Sequence, residues 1–472
     1  MNKDLVILIT GRVLQIVIML VSVRLLTTLL TPEEVGNYYI ILALLAFFNL
    51  VFLNPPGMYF SRHLLHWQKS RNLLNSLFVF FVWIIMVACI SVPISIGIFE
   101  FFGYEEKFNL NIFLVYIASA ILISTIHRNM LFGSNTLGFR KEFVLLLVPT
   151  LIFGLLCSVS IVYFYQNDAF GWLYGIIVSE FLMGYIIFRF FVSRNKLDLN
   201  LILKALTRKR LISILIFSLP LGVTTFLMWG QITAYRFIVD YQYSSEILAY
   251  IAVGLGISSA VFNSIEAILT QYFNPIFLKG ILDADREERS KAWNMIAGQM
   301  VPIYILATFF TLAMSEVLIN ILVDSKFHDS YIYTMFGVLI EFFRVMTNLL
   351  NNVSQSEYKT TATIKPYLLG FVVSVGLLSF IDVGSNYFLI PLVLGLSYLL
   401  VFLYMYINMR KILDIKYELS VYKLIILSIP FSLVYLLDVK SNDIVSNMLI
   451  IFPFGIYFLF AIWFLNRKRY VM

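Results

Sequence analysis

Among the ionisable side chains that lie within long apolar stretches of this sequence, seven stand out, because a charge there requires a partner or water. They are Arg12, Arg24, Glu180, Arg236, Glu266, Glu341 and Arg344. An ionised side chain at the centre of a bilayer costs about 3 kcal/mol or more, so such residues are rarely placed against lipid. Arginine binds anions, and a carboxylate binds protons or cations. These seven residues are therefore candidates for lining a hydrated passage.

The spacing of two polar sets supports this interpretation, because each set recurs at intervals of one helical turn and shares one helix face. The sets are Asn263, Glu266 and Thr270, and Glu341, Arg344 and Asn348. Two alternatives stay open. Glu341 and Arg344 could neutralise each other within one helix, and Arg24 and Arg236 lie close enough to a span end to reach the surface.

The elements that carry these residues are predicted to be membrane helices. The chain is 60% hydrophobic and 13% charged, with a mean hydropathy of +0.88, whereas soluble domains are about a quarter charged. We predict an all-α polytopic membrane protein with fourteen spans, with twelve as the alternative count. The predicted spans are 5–29, 37–58, 74–98, 111–133, 143–165, 170–192, 211–237, 246–274, 294–318, 331–352, 366–383, 386–408, 421–437 and 443–465.

The basic residues predict the orientation of these spans. With the N-terminus inside, only three of the 34 lysines and arginines fall in outside connectors: Lys107, Lys326 and Lys440. Such asymmetry is typical of membrane topology. We therefore predict that both termini are cytoplasmic, and we name the two faces the predicted inner side and the predicted outer side. The net charge of +7 follows from the same bias, so no nucleic-acid partner is expected.

A weak internal repeat predicts how the spans are grouped. Residues 24–39 align without a gap on residues 236–251, at equivalent topological positions. The matched pairs are Arg24 with Arg236, Glu34 with Glu246, and Tyr38 with Tyr250. We predict two pseudo-repeated six-helix lobes around a central cavity, plus two C-terminal spans. The predicted boundaries are 1–192 for the first lobe, 193–210 for a basic linker with an interfacial helix, 211–408 for the second lobe, and 409–472 for the last spans and basic tail.

Further motifs narrow the function classes. The sequence contains no GxxxxGK[ST] loop, the motif that would indicate an ATP-driven pump. Its four histidines are too scattered for a metal site, so no cofactor or metal is predicted. Cys89 and Cys157 are expected to be buried free thiols. The short outer connectors disfavour an enzyme. Prolines, including those of Asn54-Pro55-Pro56-Gly57, predict kinked helices.

The first outer turn carries a family resemblance. Arg24, the leucine-rich run to Leu30, and Thr31-Pro32-Glu33-Glu34-Val35-Gly36-Asn37-Tyr38 resemble the P-E-x-x-G-x-Y turn of Wzx-type O-antigen and capsule flippases. Those flippases belong to the MOP (multidrug/oligosaccharidyl-lipid/polysaccharide) exporter superfamily. The equivalent turn at 240–250 lacks the proline and glycine, which weakens the repeat.

The resemblance implies a function. It implies translocation of an undecaprenyl-pyrophosphate-linked oligosaccharide across the bacterial inner membrane, next to polysaccharide polymerase machinery. In that setting Arg12, Arg24, Arg236 and Arg344 would bind the pyrophosphate or acidic sugars. Glu266, Glu341 and Glu180 would bind a coupling proton or monovalent cation. A drug/cation antiporter of the same superfamily and a membrane-embedded polysaccharide polymerase are the alternatives.

Overall fold

The computed structural model is almost wholly helical. It describes residues 3–194, 207–282, 284–357, 360–381, 384, 386–417, 420–437, 439 and 443–466. The interfacial helix predicted in the linker 193–210 lies mostly outside the described residues. The chain folds into two compact units, Met1–Glu246 and Ile247–Met472. The predicted lobe boundaries remain a prediction.

The first unit contains nine described α-helices and the first residues of a tenth. They are α1 (Lys3–Leu29), α2 (Pro32–Phe48), α3 (Asn54–Lys69), α4 (Leu73–Phe101), α5 (Leu110–Thr136), α6 (Arg140–Phe164), α7 (Ala169–Arg194), α8 (Arg208–Ile232), α9 (Tyr235–Gln242) and α10 (Ser245–Gly280). Within this unit α6 packs against both α1 and α7, and α5 packs against α4 and α7. Buried aromatic rings such as Phe113 and Trp172 fill the space between these helices.

The second unit contains the remainder of α10 and the other described helices. They are α11 (Arg286–Ala313), α12 (Ser315–Leu322), α13 (Tyr331–Ser356), α14 (Ile364–Phe371), α15 (Leu377–Phe380), α16 (Leu389–Ile412), α17 (Val421–Ser428) and α18 (Ile444–Asn466). Here α13 packs against α11 and α16. The indole of Trp293 on α11 donates a hydrogen bond to the Leu349 carbonyl on α13 at 3.1 Å, which fixes these two helices together.

The predicted spans agree with the observed helices. Among the described residues, thirteen helical segments are long and apolar enough to cross a membrane, and each overlaps one predicted span. The span predicted at 421–437 is a shorter apolar helix, Tyr422–Leu436. Its second half, Ile429–Leu436, is a 3₁₀-helix with Pro430 in its first turn, because proline cannot donate the backbone hydrogen bond that an α-helix requires.

Two cysteines show where apolar sequence fails to predict burial. Cys89 is exposed and Cys157 is half-buried, both as free thiols, so the expectation that they are buried in the protein is wrong. In a membrane-spanning helix the surface that faces lipid is as apolar as the core. Segment Ile444–Leu465 illustrates this. Its mean hydropathy is 2.4, yet only 6% of its most apolar 18-residue stretch is buried inside the protein.

The second predicted span is broken where the sequence predicted a kink. A π-helical turn, Asn49–Leu53, separates α2 from α3, and Pro55 and Pro56 follow it. Pro56 has no N–H to offer the carbonyl of Phe52. The indole of Trp83 on α4 donates to that carbonyl instead, at 2.9 Å. The break is therefore satisfied by a neighbouring helix, as backbone at membrane depth must be.

The first outer turn is held by a close backbone approach. Thr31 caps α2 by accepting from the Glu34 amide at 3.3 Å, with Pro32 in the first turn. One turn on, Gly36 packs on the backbone at the start of α10, where a Cβ would lie 1.9 Å from the Ser245 carbonyl oxygen. Only glycine fits there, which gives the glycine of the P-E-x-x-G-x-Y turn a structural reason.

We predict that Gly36→Ala destabilises the protein by about 2 kcal/mol, because the added methyl group forces two backbones apart. Thermal unfolding of the detergent-solubilised protein measures the effect. Gly97→Ala is the matched control, since a Cβ at Gly97 on α4 meets no atom within 4 Å. Equal unfolding temperatures for the two variants would show that the contact at Gly36 yields without cost.

Candidate functional site

Two helices of the second unit bring together the polar faces predicted from spacing. Helix α10 carries Asn263 and Glu266, and α13 carries Glu341, Arg344 and Asn348. These five residues lie roughly two turns or more from the ends of their helices. We call this set the α10–α13 cluster.

Arg344 is the centre of the α10–α13 cluster. Its Nη1 lies 2.8 Å from Glu266 Oε2, its Nε lies 2.5 Å from Glu341 Oε2, and its Nη2 donates to Asn263 Oδ1 at 2.8 Å. Asn348 donates to the other oxygen of Glu266 at 2.9 Å. The planar guanidinium thus serves three acceptors on two helices, which a lysine ammonium at one point cannot reproduce.

The cluster holds an odd number of charges. Two carboxylates face one guanidinium, so one negative charge is uncompensated when both glutamates are ionised. The side chains are 16% exposed for Arg344 and Glu266 and 10% for Glu341, so these three charged groups are mostly buried, whereas Asn263 is exposed. An uncompensated charge in such surroundings is costly. The arrangement therefore favours binding of one further positive charge, a proton or a monovalent cation.

The other predicted glutamate occupies a separate place. Glu180 on α7 accepts a hydrogen bond from the hydroxyl of Ser124 on α5. Its side chain lies in the first unit, whereas the residues of the α10–α13 cluster belong to the second. The structure thus joins two of the three predicted ion-binding glutamates. The ion-binding role of all three remains a prediction.

The predicted anion-binding arginines differ in what they contact. Arg12 is exposed on α1, and its Nη1 donates to the side chain of Gln15 at 2.8 Å. Arg24 is half-buried, and its carbonyl accepts from the Thr28 hydroxyl at 2.7 Å. Both arginines lie on α1, whereas Arg236 lies on α9. Their substrate-binding roles remain predictions.

Arg236 on α9 lies against α2. Its Nη1 donates to the Tyr39 carbonyl at 3.3 Å, and its guanidinium carbon lies 5.0 Å from the centre of the Tyr39 ring. This cation–π contact and the hydrogen bond hold the half-buried guanidinium against α2. The Nε of Arg236 is buried and has no hydrogen-bond partner among the described residues.

A polar network on the predicted outer side was not predicted from the sequence. The Lys107 ammonium lies 2.7 Å from Asp240 Oδ1 and 3.0 Å from the Ser245 hydroxyl. That hydroxyl also lies 2.6 Å from Asp240 Oδ1 and 3.1 Å from Asn37 Oδ1. Lys107 was visible as a rare outside lysine, but its acidic partner is 133 residues away in sequence. We call Asn37, Lys107, Asp240 and Ser245 the outer network.

Two neighbours extend the outer network. Asn37 donates to Glu34 Oε1 at 3.1 Å, and Glu34 Oε2 accepts from the Ala169 amide, the first residue of α7, at 2.9 Å. Glu34 and Asn37 of the family turn thereby connect the start of α2 with the starts of α7 and α10. Burial, and the nearby Asp240 carboxylate, raise the pKa of Tyr104 in the connector before α5. That phenol therefore stays neutral across the physiological range.

The fold is shared with solved structures of membrane transport proteins. The chain is similar to the lipid II flippase MurJ in an inward closed conformation, with 13% identity, a TM-score of 0.67 and coverage of 99% of both chains. It is also similar to an inward-facing multidrug resistance MATE family transporter of the MOP superfamily, with 11% identity, a TM-score of 0.62 and coverage of 86% of this chain and 98% of that one. A MATE structure in the straight conformation gives 12% identity, a TM-score of 0.55 and coverage of 86% and 96%. The fold is the one shared by these MurJ and MATE structures.

The family follows from the sequence. The chain matches the family described as polysaccharide biosynthesis protein, Polysacc_synt_3, over residues 25–332. Because the match covers more than half of the chain, the protein belongs to this family. A search of curated protein sequences gives no match. The predicted resemblance to polysaccharide flippases of the MOP superfamily is confirmed at the level of family and fold, as is the all-helical membrane architecture.

We predict that Arg344→Ala destabilises the protein by about 3 kcal/mol, because it leaves Glu266 and Glu341 buried without a counter-charge. Thermal unfolding in detergent measures the loss. Replacing all three residues, as Glu266→Gln, Glu341→Gln and Arg344→Ala together, should recover much of it, since no uncompensated charge remains. A triple variant no more stable than Arg344→Ala would mean that the arginine stabilises through packing and not through charge.

Proposed function

We propose that this protein flips undecaprenyl-pyrophosphate-linked oligosaccharide repeat units from the cytoplasmic to the outer leaflet of the bacterial inner membrane. The product serves O-antigen or capsule assembly, and downstream polymerase machinery is the expected partner. Membership of the polysaccharide biosynthesis family supports a glycan substrate. The fold shared with a lipid II flippase supports a lipid-linked one. Translocation proceeds by alternating access, with both termini cytoplasmic.

The observation that carries the proposal is the α10–α13 cluster. Two carboxylates, one guanidinium and two amides are kept far from the ends of apolar helices, where polar groups are expensive and mark transport sites. The cluster's excess negative charge gives it a means of binding one proton or cation. Exchange of that ion supplies the energy for moving a polar head group. Glu266 and Glu341 are the proposed ion-binding pair, and Glu180 is a second candidate.

The head group of the substrate is strongly anionic. Arginine matches a diphosphate through paired N–H donors. Arg12 is the first candidate because its guanidinium hydrogen bonds to an amide and not to an acid in the described structure. Arg24 and Arg236 are further candidates. Arg344 would contact the diphosphate only after leaving one of its carboxylates.

A drug/cation antiporter is the second candidate function. The similarity to MATE transporters supports this candidate, because the chain shares its fold with them as well as with a flippase. The two functions differ in the substrate, which is a soluble molecule in one case and a lipid in the other. A polysaccharide polymerase is a third alternative, and its loss would leave short glycans outside the cell.

We predict that deleting the gene causes lipid-linked single repeat units to accumulate on the inner leaflet, with loss of surface polysaccharide. Complementation with Arg12→Ala should restore about tenfold less surface glycan than the wild-type gene, because a paired contact to the diphosphate is lost. Immunoblotting of surface glycan at matched protein level measures the effect.

Arg140→Ala, an exposed basic residue at the start of α6, is the matched control and should complement fully. Short glycans outside the deletion strain would indicate a polymerase, and unchanged surface glycan would contradict the flippase proposal. Normal export by Arg12→Ala would remove that arginine from the mechanism while leaving the flippase proposal in place.

We predict that Glu266→Gln lowers ion uptake coupled to lipid translocation by at least about tenfold, because Arg344 and Glu341 then form a neutral pair. Proteoliposomes loaded with a pH indicator measure the proton, and a parallel Na⁺ gradient tests the cation. Glu287→Gln is the control, since Glu287 is exposed and pairs with Lys291 at 2.7 Å outside the cluster. Undiminished ion uptake by Glu266→Gln would exclude the cluster as the coupling site.

A further inference from the structure

Helix α3 has a basic face that has no part in the proposed ion coupling or in the proposed arginine contacts. Its buried side is formed by Phe60, Leu64 and Trp67, which pack into the first unit. The other side is half-buried or exposed and recurs at intervals of three and four residues. It consists of Tyr59, Arg62, His63, His66 and Lys69. We call these five residues the α3 basic face.

The break in the second predicted span determines where the α3 basic face lies along that span. Helix α2, which precedes the π-helical turn, is apolar, whereas α3, which follows it, is amphipathic. Arg62 lies seven residues before Lys69, the last residue of α3, so it sits about 10 Å along the axis from the helix end. The basic face therefore runs from the predicted inner surface toward the apolar part of the membrane.

A groove adjoins the α3 basic face. Tyr59 on α3 lines it together with Ile212, Ser213, Ile216 and Phe217 of α8, and its volume is about 480 Å³. Three of its five lining residues are apolar. Ile216 is 67% exposed, so the groove opens outward from the helices. We call it the α3–α8 groove.

Arg62 stands at the edge of the groove. Its guanidinium carbon lies 5.1 Å from the centre of the Phe217 ring, which also contacts the Tyr59 ring at 5.7 Å. This stacking holds the guanidinium over an aromatic face and leaves its N–H edge available. Among the residues that the structure describes, Arg62 has no ion pair or hydrogen bond.

His63 adds a second oriented donor or acceptor. Its Nδ1 donates to the Tyr59 carbonyl at 2.7 Å, and its ring stacks between the rings of Tyr59 and Trp67 at 4.4 and 5.5 Å. The other ring nitrogen, Nε2, lies on the far side of the imidazole and points away from the Tyr59 carbonyl. Because Nδ1 carries the proton of that bond, Nε2 of the neutral ring is an acceptor, and the imidazolium form is the one that donates to an anion next to the guanidinium.

The local charge is unbalanced. The sequence has no aspartate or glutamate between Glu34 and Glu100, a stretch that contains all of α3. The facing helix α8 begins at Arg208, which is exposed. The groove thus joins an apolar floor to a basic rim without a nearby acid in either helix.

We propose that the α3–α8 groove and the α3 basic face bind the polyisoprenyl diphosphate of the substrate before translocation. The inference rests on the proposed function. The isoprenoid chain lies against Ile212, Ile216 and Phe217, and the diphosphate is held by Arg62, with His63 beside it. The occupant is a lipid diphosphate and not an ordinary phospholipid, because a surplus of basic groups without acids matches a head group with more than one negative charge.

The test measures binding by native mass spectrometry of the full chain in phosphatidylcholine nanodiscs, with undecaprenyl diphosphate as the probe. Arg62→Ala should weaken binding by at least about tenfold, and Arg62→Lys should have an intermediate effect because the charge remains without the fork. Ile216→Trp should weaken binding by filling the groove, independently of charge. Arg140→Ala is the matched control and should bind within about twofold of wild type.

The outcomes separate the inference from the function on which it rests. Wild-type binding that neither Arg62→Ala nor Ile216→Trp weakens would overturn the groove assignment and leave the flippase proposal standing. Displacement of the probe by equimolar phosphatidylglycerol would also overturn it, since the site would then be one for anionic phospholipid. Selective weakening by both variants, in a protein that translocates no lipid in proteoliposomes, would support the groove and overturn the flippase proposal.

Discussion

The rest of the structure depends on one constraint: a polar group within apolar surroundings must find its partner inside the protein. The constraint acts on the backbone, where the Trp83 indole supplies the hydrogen bond that Pro56 withholds from Phe52. It acts equally on side chains, where Arg344 serves Glu266, Glu341 and Asn263 at once. Each of these irregular features therefore comes with a specific neighbour, and that neighbour fixes how the helices pack.

The sequence predicted what is periodic and local. Span positions followed from hydropathy, and the shared faces of α10 and α13 followed from helical spacing, because both depend only on residues within one helix. The meeting of Arg344 with Glu266, 78 residues away, and of Lys107 with Asp240 could not follow from spacing, because both depend on how helices pack. Burial of Cys89 was wrongly predicted for a related reason, since lipid-facing and protein-facing positions of a membrane helix have the same apolar composition. The grouping of spans into lobes stays a prediction.

The two ends of the first unit differ in whether their basic residues are neutralised by acidic ones. On the predicted outer side, Lys107 is neutralised by Asp240, and the family turn contributes hydrogen bonds from Asn37 and Glu34. Close contact of Gly36 with the Ser245 backbone adds packing to this polar network. On the predicted inner side, α3 and the start of α8 present basic groups without acids. A neutralised network stabilises the fold, whereas an unbalanced basic surface remains able to attract an anion.

This difference separates the arginines by the role they can perform. An arginine that already satisfies two carboxylates, as Arg344 does, cannot bind a diphosphate without leaving two like charges facing each other. An arginine held by an amide, as Arg12 is, or by an aromatic ring, as Arg62 is, loses little when an anion arrives. Paired arginine therefore suits ion coupling and fold stability, and arginine without an acidic partner suits substrate binding. We propose that the acid content around each guanidinium, more than its depth in the membrane, decides which arginines meet the substrate.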